Sequence, residues 1–271
     1  MSRPVWFVEL IKKAFPQRFS FAKLTHVPVV GNVVDKMLFN GDDIIYLPID
    51  NTIQVNQPIE RQEDVVLPSQ IVEHFINSSQ YHWVMDFCIC RTGNQCEDYA
   101  QEHGCLFLGE AVLDISPRFG RLVTKEQALE HARVCRESGL VHMIGRNKLD
   151  SVWLGAGPSH KLLTICNCCP CCCLWKMLPQ ITPMIGDKIS KMPGVEVEVT
   201  ELCVGCGTCT EGICFVDAIR LEESRAVIGD SCRGCGRCVE VCPNDAIELS
   251  VMDYAFVQKT IRRITPLVDL S

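Results

Sequence analysis

Two short runs of cysteines in the carboxyl-terminal part constrain this chain more than any other sequence feature. The first run is Cys203-x2-Cys206-x2-Cys209-x4-Cys214, and the second is Cys232-x2-Cys235-x2-Cys238-x3-Cys242. The tripeptide Asp217-Ala218-Ile219 also recurs as Asp245-Ala246-Ile247. The segment is therefore an internal repeat, and it carries two matching sets of thiols.

The spacing of the thiols favours cube-shaped iron–sulfur clusters. Three thiolates two residues apart on a tight, glycine-containing loop can each bind one corner of a cube. The fourth ligand has to come from the other run, because the chain leaves the loop before it can close the cube. One cluster is thus predicted to use Cys203, Cys206, Cys209 and Cys242, and the other Cys232, Cys235, Cys238 and Cys214.

These motifs resemble the bacterial two-cluster ferredoxins over about fifty residues. The resemblance implies a small α+β domain at residues 195–250 that binds two [4Fe-4S] clusters and carries electrons. The chain departs from the family at Phe215, which stands where proline usually follows the cysteine, and by one residue inserted before Cys214. Zinc is disfavoured, because paired C-x2-C-x2-C runs with a delayed fourth cysteine are not its usual spacing.

Nineteen cysteines in 271 residues require a choice between disulfides, zinc and iron–sulfur clusters. Disulfides need an oxidising compartment, whereas the apolar stretch at residues 5–10 is broken by Glu9 and makes a poor signal peptide. No uninterrupted apolar stretch approaches the length of a membrane span. We therefore expect a cytoplasmic location. Because oxygen attacks reduced cubane clusters, we also expect an anaerobic or microaerobic cell. A net charge of −7 argues against nucleic-acid binding.

Further cysteines lie upstream of the two runs. Cys88-x-Cys90 falls in an extended stretch, so its two thiols are predicted to share one face. The simplest set for a third cluster is Cys88, Cys90, Cys96 and Cys105. A denser run could bind a fourth cluster, share ligands with that set around one unusual centre, or react through its thiols; it consists of Cys166, Cys168, Cys169, Cys171, Cys172 and Cys173.

The chain as a whole resembles a group of uncharacterised iron–sulfur proteins of anaerobic bacteria and archaea. The shared features are a Cys-x-Cys-Arg segment, a helix of the type Thr-Lys-Glu-x-Ala-Leu-Glu, and the run Ile-Cys-Asn-Cys-Cys-Pro-Cys-Cys-Cys ahead of a ferredoxin end. The resemblance spans most of residues 81–245. It implies electron transfer and brings no established substrate.

The predicted fold is α+β, with a mixed α/β cysteine-rich domain at 81–178 ahead of the ferredoxin domain at 195–250. A cysteine-free region covers 1–80, a connector 179–194 and a helical tail 251–271. Helices are predicted at 5–15, 69–77 and 125–138, the last with a Thr124–Gln127 capping box and Cys135 on its buried stripe. Strands are predicted at 141–144, 152–154 and 162–165, with short strands within 44–67.

Charge indicates two contact surfaces. Residues 192–250 contain eleven acids and four arginines, which predicts a redox partner with a basic docking face. Residues 1–24 form a basic, amphipathic start, which either packs on the protein's own core or contacts a partner or the inner face of a membrane.

Three functions remain open on the sequence alone. The first is an electron-transfer protein or redox-complex subunit, and the second is a reductase with an unusual iron–sulfur centre at Cys166–Cys173. The third is a metal or cluster assembly factor that uses the surplus thiols. Whether the chain is an enzyme is left undecided.

Overall fold

The structure, a computed structural model, describes residues 2–54, 67–252 and 255–271. Its fold is α+β, as predicted. The described strands are β1 (Asp43–Tyr46), β2 (Ile53–Gln54), β3 (His82–Met85), β4 (Leu106–Leu108), β5 (Gly120–Val123), β6 (Val141–Arg146), β7 (Leu163–Cys168), β8 (Ile189–Lys191), β9 (Val195–Val199), β10 (Ile219–Glu222), β11 (Arg225–Ile228) and β12 (Ile247–Val251).

The described α-helices are mostly short. They are α1 (Val5–Ala14), α2 (Arg18–Leu24), α3 (Pro28–Val34), α4 (Ser69–Ser78), α5 (Ile89–Gly93), α6 (Lys125–Glu137), α7 (Lys148–Leu154), α8 (Pro183–Gly186), α9 (Arg237–Glu240) and α10 (Phe256–Ile264). Seven strands form a mixed sheet in the order β5-β3-β4-β7-β6-β1-β8, in which β1 and β8 are parallel and the other neighbours antiparallel.

One face of this sheet packs against α4, α6 and α10. Side chains alternate between the two faces along a strand, so Ile45, Val84 and Ile144 all enter this core with Phe75 of α4 and Phe256 of α10. The same core includes residues of β9 and β12. The cysteine-rich region and the carboxyl-terminal region therefore share one apolar interior.

Helix α6 matches its prediction closely. Thr124 Oγ1 accepts a hydrogen bond from the Gln127 N–H at 3.3 Å, and the Gln127 side chain accepts one from the Thr124 N–H at 3.0 Å. This capping box satisfies two backbone donors that the helix itself cannot. Cys135 is fully buried, as predicted from its place on the apolar stripe.

The opposite face of the sheet carries two smaller cores. One surrounds Trp83, Phe107 and Trp153, and it includes Val8 of α1. The other surrounds Tyr46, Met143 and Trp175. Strand β7 lies between these two cores and leads into the dense cysteine run, so Cys166 and Cys168 lie on this face.

The carboxyl-terminal module is built from two small sheets. Strands β9 and β12 pair antiparallel, β10 and β11 form a hairpin, and β2 joins β12 in parallel, with Ile53 opposite Leu249. The Ile49 N–H also donates to the carbonyl oxygen of Cys235 at 3.1 Å. A segment from the amino-terminal region thus completes the sheet of this module.

Three sequence predictions need correction or restriction. Residues 152–154, predicted as a strand, form the last turn of α7, which is fixed by a 2.8 Å hydrogen bond from Trp153 Nε1 to Asp150 and ends at the left-handed Gly155. The prediction that Cys88 and Cys90 share one face of an extended stretch is wrong, because β3 ends at Met85 and Cys90 lies in α5, directly after its N-cap residue Cys88. Of the predicted strands within 44–67, residues 55–66 lie outside the described part.

The amino-terminal helices pack on the protein's own core and also expose apolar side chains. Val8 is fully buried. The exposed large hydrophobic residues in this region, here called the amino-terminal apolar surface, are Trp6, Leu10, Phe21, Leu24, Val27, Val29, Val30, Val33 and Met37. Within the described residues, no helix has the length and apolarity to span a membrane.

Candidate metal centres

The structure places the first predicted cysteine set around one cavity. Its lining includes Cys203, Cys206, Cys209 and Cys242, together with Gly205 and Gly207 from the loop. Both glycines have positive φ (69° and 86°), and a Cβ on Gly205 would lie 2.1 Å from the Ser224 carbonyl oxygen. Only glycine fits there, and the loop can therefore coil as a cube requires. Cys206 is solvent-exposed.

The second set surrounds a neighbouring cavity, lined by Cys214, Cys232, Cys235 and Cys238. This cavity lies deeper in the protein than the first one. Burial raises the pKa of the Cys235 thiol to about 12. A bound iron would reverse that effect, because a metal cation stabilises the thiolate.

Phe215, the departure from the family pattern, joins the second set to the rest of the protein. Its side chain is 1 % exposed and meets the ring of Tyr46 edge-on at 5.5 Å. Proline could not make this aromatic contact. The residue is therefore a packing link between the module and strand β1.

The repeated Asp-Ala pair has a local role in both copies. Asp217 and Asp245 have positive φ, 50° and 48°. This turn aims the N–H of the next alanine at a thiol, so Ala218 donates to Cys214 Sγ and Ala246 to Cys242 Sγ, both at 3.3 Å. Hydrogen bonds to ligand sulfurs stabilise their charge and tune cluster potentials. The repeat therefore preserves a sulfur-binding turn.

Upstream, several cysteines line an apolar pocket between α1, α2 and α7. Cys105 and Cys166 lie 3.9 Å apart (Sγ to Sγ), and Cys166 and Cys168 share a face of β7. A hydrogen bond with Cys90 lowers the pKa of Cys88, just outside the pocket lining, to about 6. The cysteines of this thiol-lined pocket are Cys90, Cys105, Cys166, Cys168 and Cys173.

The remaining upstream thiols form a separate group. Cys96 does not join Cys88, Cys90 and Cys105 in the simplest predicted set; it lies with thiols of the dense run instead. This four-thiol group consists of Cys96, Cys169, Cys171 and Cys172. The fold thus brings one thiol of the first upstream segment next to three thiols of the second. Sequence spacing alone could not indicate the pairing, since it depends on the tertiary fold.

One arginine lies buried beside both upstream thiol groups. Arg91 is 0 % exposed, and it donates from Nη1 to the Asn167 carbonyl oxygen at 2.8 Å and from Nη2 to that of His103. Burial alone would lower its pKa, but Cys88 and Cys169 outweigh burial and raise it. In the sequence Arg91 is only a charge next to Cys90, and no local signal indicates its burial.

Comparison with known proteins identifies part of this chain. Residues 210–252 match the family described as the LdpA Fe-S cluster-binding domain. The match includes Cys214 and the whole second run, and it begins after Cys209. The carboxyl-terminal region therefore contains an iron–sulfur domain. The donor set fits this assignment, because the cavities offer thiols together with backbone N–H groups aimed at sulfur.

Two curated relatives match over short segments. A polyferredoxin protein, MvhB, from Methanothermus fervidus is 43 % identical over 47 residues, which is 17 % of this chain and 11 % of the relative. One subunit of an ion-translocating oxidoreductase complex from Methanosarcina acetivorans is 48 % identical over 48 residues, 17 % of this chain and 18 % of the relative. The chain thus spans less than a fifth of either relative. No solved structure matches this chain.

Proposed function

We propose that this protein transfers single electrons through two [4Fe-4S] clusters, one bound by each cysteine set of the carboxyl-terminal module. The observation that carries the proposal is the duplicated site, in which four thiols line each cavity and each copy aims an alanine N–H at a ligand sulfur. Cubane clusters supply one-electron redox chemistry when bound. The polyferredoxin and the oxidoreductase subunit are relatives of the kind that this role predicts.

Electrons enter or leave at the first set, in our proposal. Cys206 is exposed there, and the neighbouring Leu202 and Val204 are 60 % and 67 % exposed. The second set instead faces the protein interior through Phe215 and the Ile49–Cys235 hydrogen bond. This arrangement favours a route from a partner to the first set, then to the second set, and on to the upstream region.

The partner is proposed to dock through a basic face. Ten of the eleven acidic side chains in residues 192–250 are exposed, with Glu248 half-buried. Opposite charge steers association and orients the redox surfaces. The amino-terminal apolar surface is proposed to hold the protein at the inner face of a membrane or on a complex, in a cytoplasmic and anaerobic setting.

A reductase is the second candidate function, and the thiol-lined pocket favours it. Five cysteines line this pocket together with aromatic residues from α1, α2 and α7, among them Phe7, Phe21 and Trp153. An apolar cavity with a few polar groups is the usual form of a small-molecule site. An unusual iron–sulfur centre in this pocket would pass electrons from the carboxyl-terminal module to an apolar substrate.

Metal analysis of anaerobically purified protein tests the electron-transfer proposal. We expect at least eight irons and eight sulfides per chain, as two cubane clusters require, and paramagnetic signals after reduction. Cys206→Ser should perturb one signal and Cys232→Ser the other. Cys135→Ser, a buried cysteine outside both sets, is the matched control and should leave both signals unchanged.

Two outcomes decide between the candidates. Protein without sulfide, or with one cluster that both variants perturb equally, contradicts the two-cluster proposal. A redox signal that persists in the Cys206→Ser/Cys232→Ser double variant and disappears in Cys168→Ser would favour the reductase.

A further inference from the structure

The four-thiol group converges on a single point. The sulfur atoms of Cys96, Cys169, Cys171 and Cys172 all lie within 4.8 Å of one another. Cys171 Sγ is 3.5 Å from Cys96 Sγ and 3.4 Å from Cys169 Sγ. In the part of the chain that the structure describes, no other group of three or more metal-ligating side chains converges so closely.

The distances between the four sulfur atoms distinguish a single metal ion from a cubane cluster. Four thiolates on one tetrahedral ion, with metal–sulfur bonds of about 2.3 Å, lie about 3.8 Å apart. In a cubane cluster each thiolate binds a different iron, and the iron–sulfide core keeps the thiolates farther apart. The two sets of the carboxyl-terminal module surround cavities and lack the tight convergence, whereas the four-thiol group has it.

We propose that Cys96, Cys169, Cys171 and Cys172 bind one tetrahedral metal ion, either zinc or mononuclear iron, as a centre separate from the iron–sulfur clusters. Binding of a divalent ion displaces four thiol protons and leaves a centre with a net charge of 2−. Tetrathiolate coordination is typical of structural zinc and of single-iron sites. The proposal does not depend on the function of the carboxyl-terminal module.

The surroundings are suited to that negative charge. Cys169 and Cys172 are 1 % and 6 % exposed, so water contributes little stabilisation. Arg91 supplies a buried positive charge beside Cys169, and the backbone N–H groups of Asp98 and Tyr99 lie near Cys96, where they favour its thiolate. Such donors fix and stabilise metal-bound thiolates.

The site also has a connection to the electron-carrying module. Tyr99 packs beside the four-thiol group, and its hydroxyl accepts a hydrogen bond from Arg237 Nη2 at 2.9 Å. Arg237 lies between Cys235 and Cys238 of the second set. A metal ion that joins Cys96 to the dense run would therefore fix Tyr99, and through this hydrogen bond also Arg237 of the second set.

Metal and sulfide analysis of single-cysteine variants of the whole chain tests the proposal. Wild-type protein should contain one zinc per chain, or one iron in excess of its sulfide. Cys96→Ser and Cys171→Ser should each lose that one ion while the sulfide content stays the same. Cys135→Ser is the matched control, because Cys135 is buried against the same thiols but lies outside the four.

The result distinguishes zinc from iron and both from a cluster. Loss of zinc identifies a zinc site, and loss of the excess iron identifies a single-iron site. Loss of iron and sulfide in equal amounts would overturn the proposal in favour of a cluster, and an unchanged metal content would overturn it in favour of a thiol group without metal. Absence of sulfide from the wild-type protein would count against the electron-transfer function alone.

X-ray absorption on the wild-type protein keeps the test independent of variant folding. At the zinc edge, the proposal requires four sulfur neighbours at about 2.3 Å and no second metal nearby. If the zinc edge is silent, the proposal requires that the wild-type protein contain one iron in excess of its sulfide. A zinc-free wild type with iron and sulfide in equal numbers would refute the site without any variant.

Discussion

At the residue scale, Arg91 is the side chain that most clearly reveals the chemistry of its surroundings. A fully buried arginine is normally paired with a carboxylate. Among the ion pairs of the described residues, Arg91 has no carboxylate partner, and its neighbours of opposite charge are the thiols of Cys88 and Cys169. A buried arginine beside thiols favours their deprotonated, metal-binding form, because the positive charge stabilises a thiolate.

Replacing Arg91 should destabilise the folded protein strongly. Arg91→Met keeps an unbranched side chain but removes the buried charge from beside the thiolates, so we expect a loss of about 3 to 5 kcal/mol in the free energy of unfolding. Urea denaturation of the metal-loaded protein under anaerobic conditions measures it. Arg133→Met breaks only two exposed ion pairs on α6, with Glu130 and Glu137, and should cost about 1 kcal/mol or less. Equal effects would contradict this account of Arg91.

At the scale of single elements, the Asp-Ala turns connect backbone conformation to redox chemistry. A non-glycine residue with positive φ is strained by about 1 to 2 kcal/mol unless its side chain is suited to that region, as aspartate is. In both copies the conformation is what brings the alanine N–H to the sulfur. If the two-cluster proposal holds, the turn therefore contributes to the potential of the cluster that its cysteine would bind.

Substitutions at Asp217 should separate conformation from charge. Asp217→Gly and Asp217→Val remove the same carboxylate, but only valine resists positive φ. We expect valine to weaken the hydrogen bond to Cys214 and lower the reduction potential of the second cluster, because a donor stabilises the more negative reduced form. A redox titration followed by electron paramagnetic resonance measures both variants. Similar potentials for the two would show that the turn does not act through its conformation.

The elements that sequence could predict are those with local signals. Helix α6 has its cap at Thr124, its apolar stripe, and its stop at the left-handed Gly139 close together in the sequence, so its boundaries follow from sequence. The segment 152–154 has no such signal, since three apolar residues fit a strand or a helical turn equally well. The pairing of Cys96 with Cys171 depends on segments 75 residues apart, and local pattern cannot determine it.

At the scale of the whole molecule, the amino-terminal apolar surface stands apart from the remaining surface. Nine of its large hydrophobic side chains are exposed, including Val29 at 73 % and Trp6 at 68 %. The lysines Lys13, Lys23 and Lys36 are exposed in the same region. Apolar side chains with basic neighbours are typical of surfaces that contact anionic membranes.

Vesicle sedimentation tests whether this surface binds lipid. The protein should sediment with phosphatidylcholine vesicles that contain an anionic lipid, less with phosphatidylcholine alone, and less again as salt rises. Val29→Ser with Val33→Ser should reduce binding several-fold. Leu122→Ser removes an equally exposed apolar side chain from β5 and should leave binding unchanged. Absence of binding under all conditions would favour a protein partner for this surface.

The pairing of β2 with β12 also imposes an order on biosynthesis. Ile49 and Ile53 leave the ribosome long before Cys235 and Leu249, which complete their hydrogen bonds. At ordinary translation rates of about 5 to 20 residues per second, that interval is of the order of ten seconds or more. During this interval the upstream cysteines are synthesised before the carboxyl-terminal module beside which they pack. Iron can therefore fill the module only after Cys242 has been synthesised, and until then the upstream thiols are present without the module beside them.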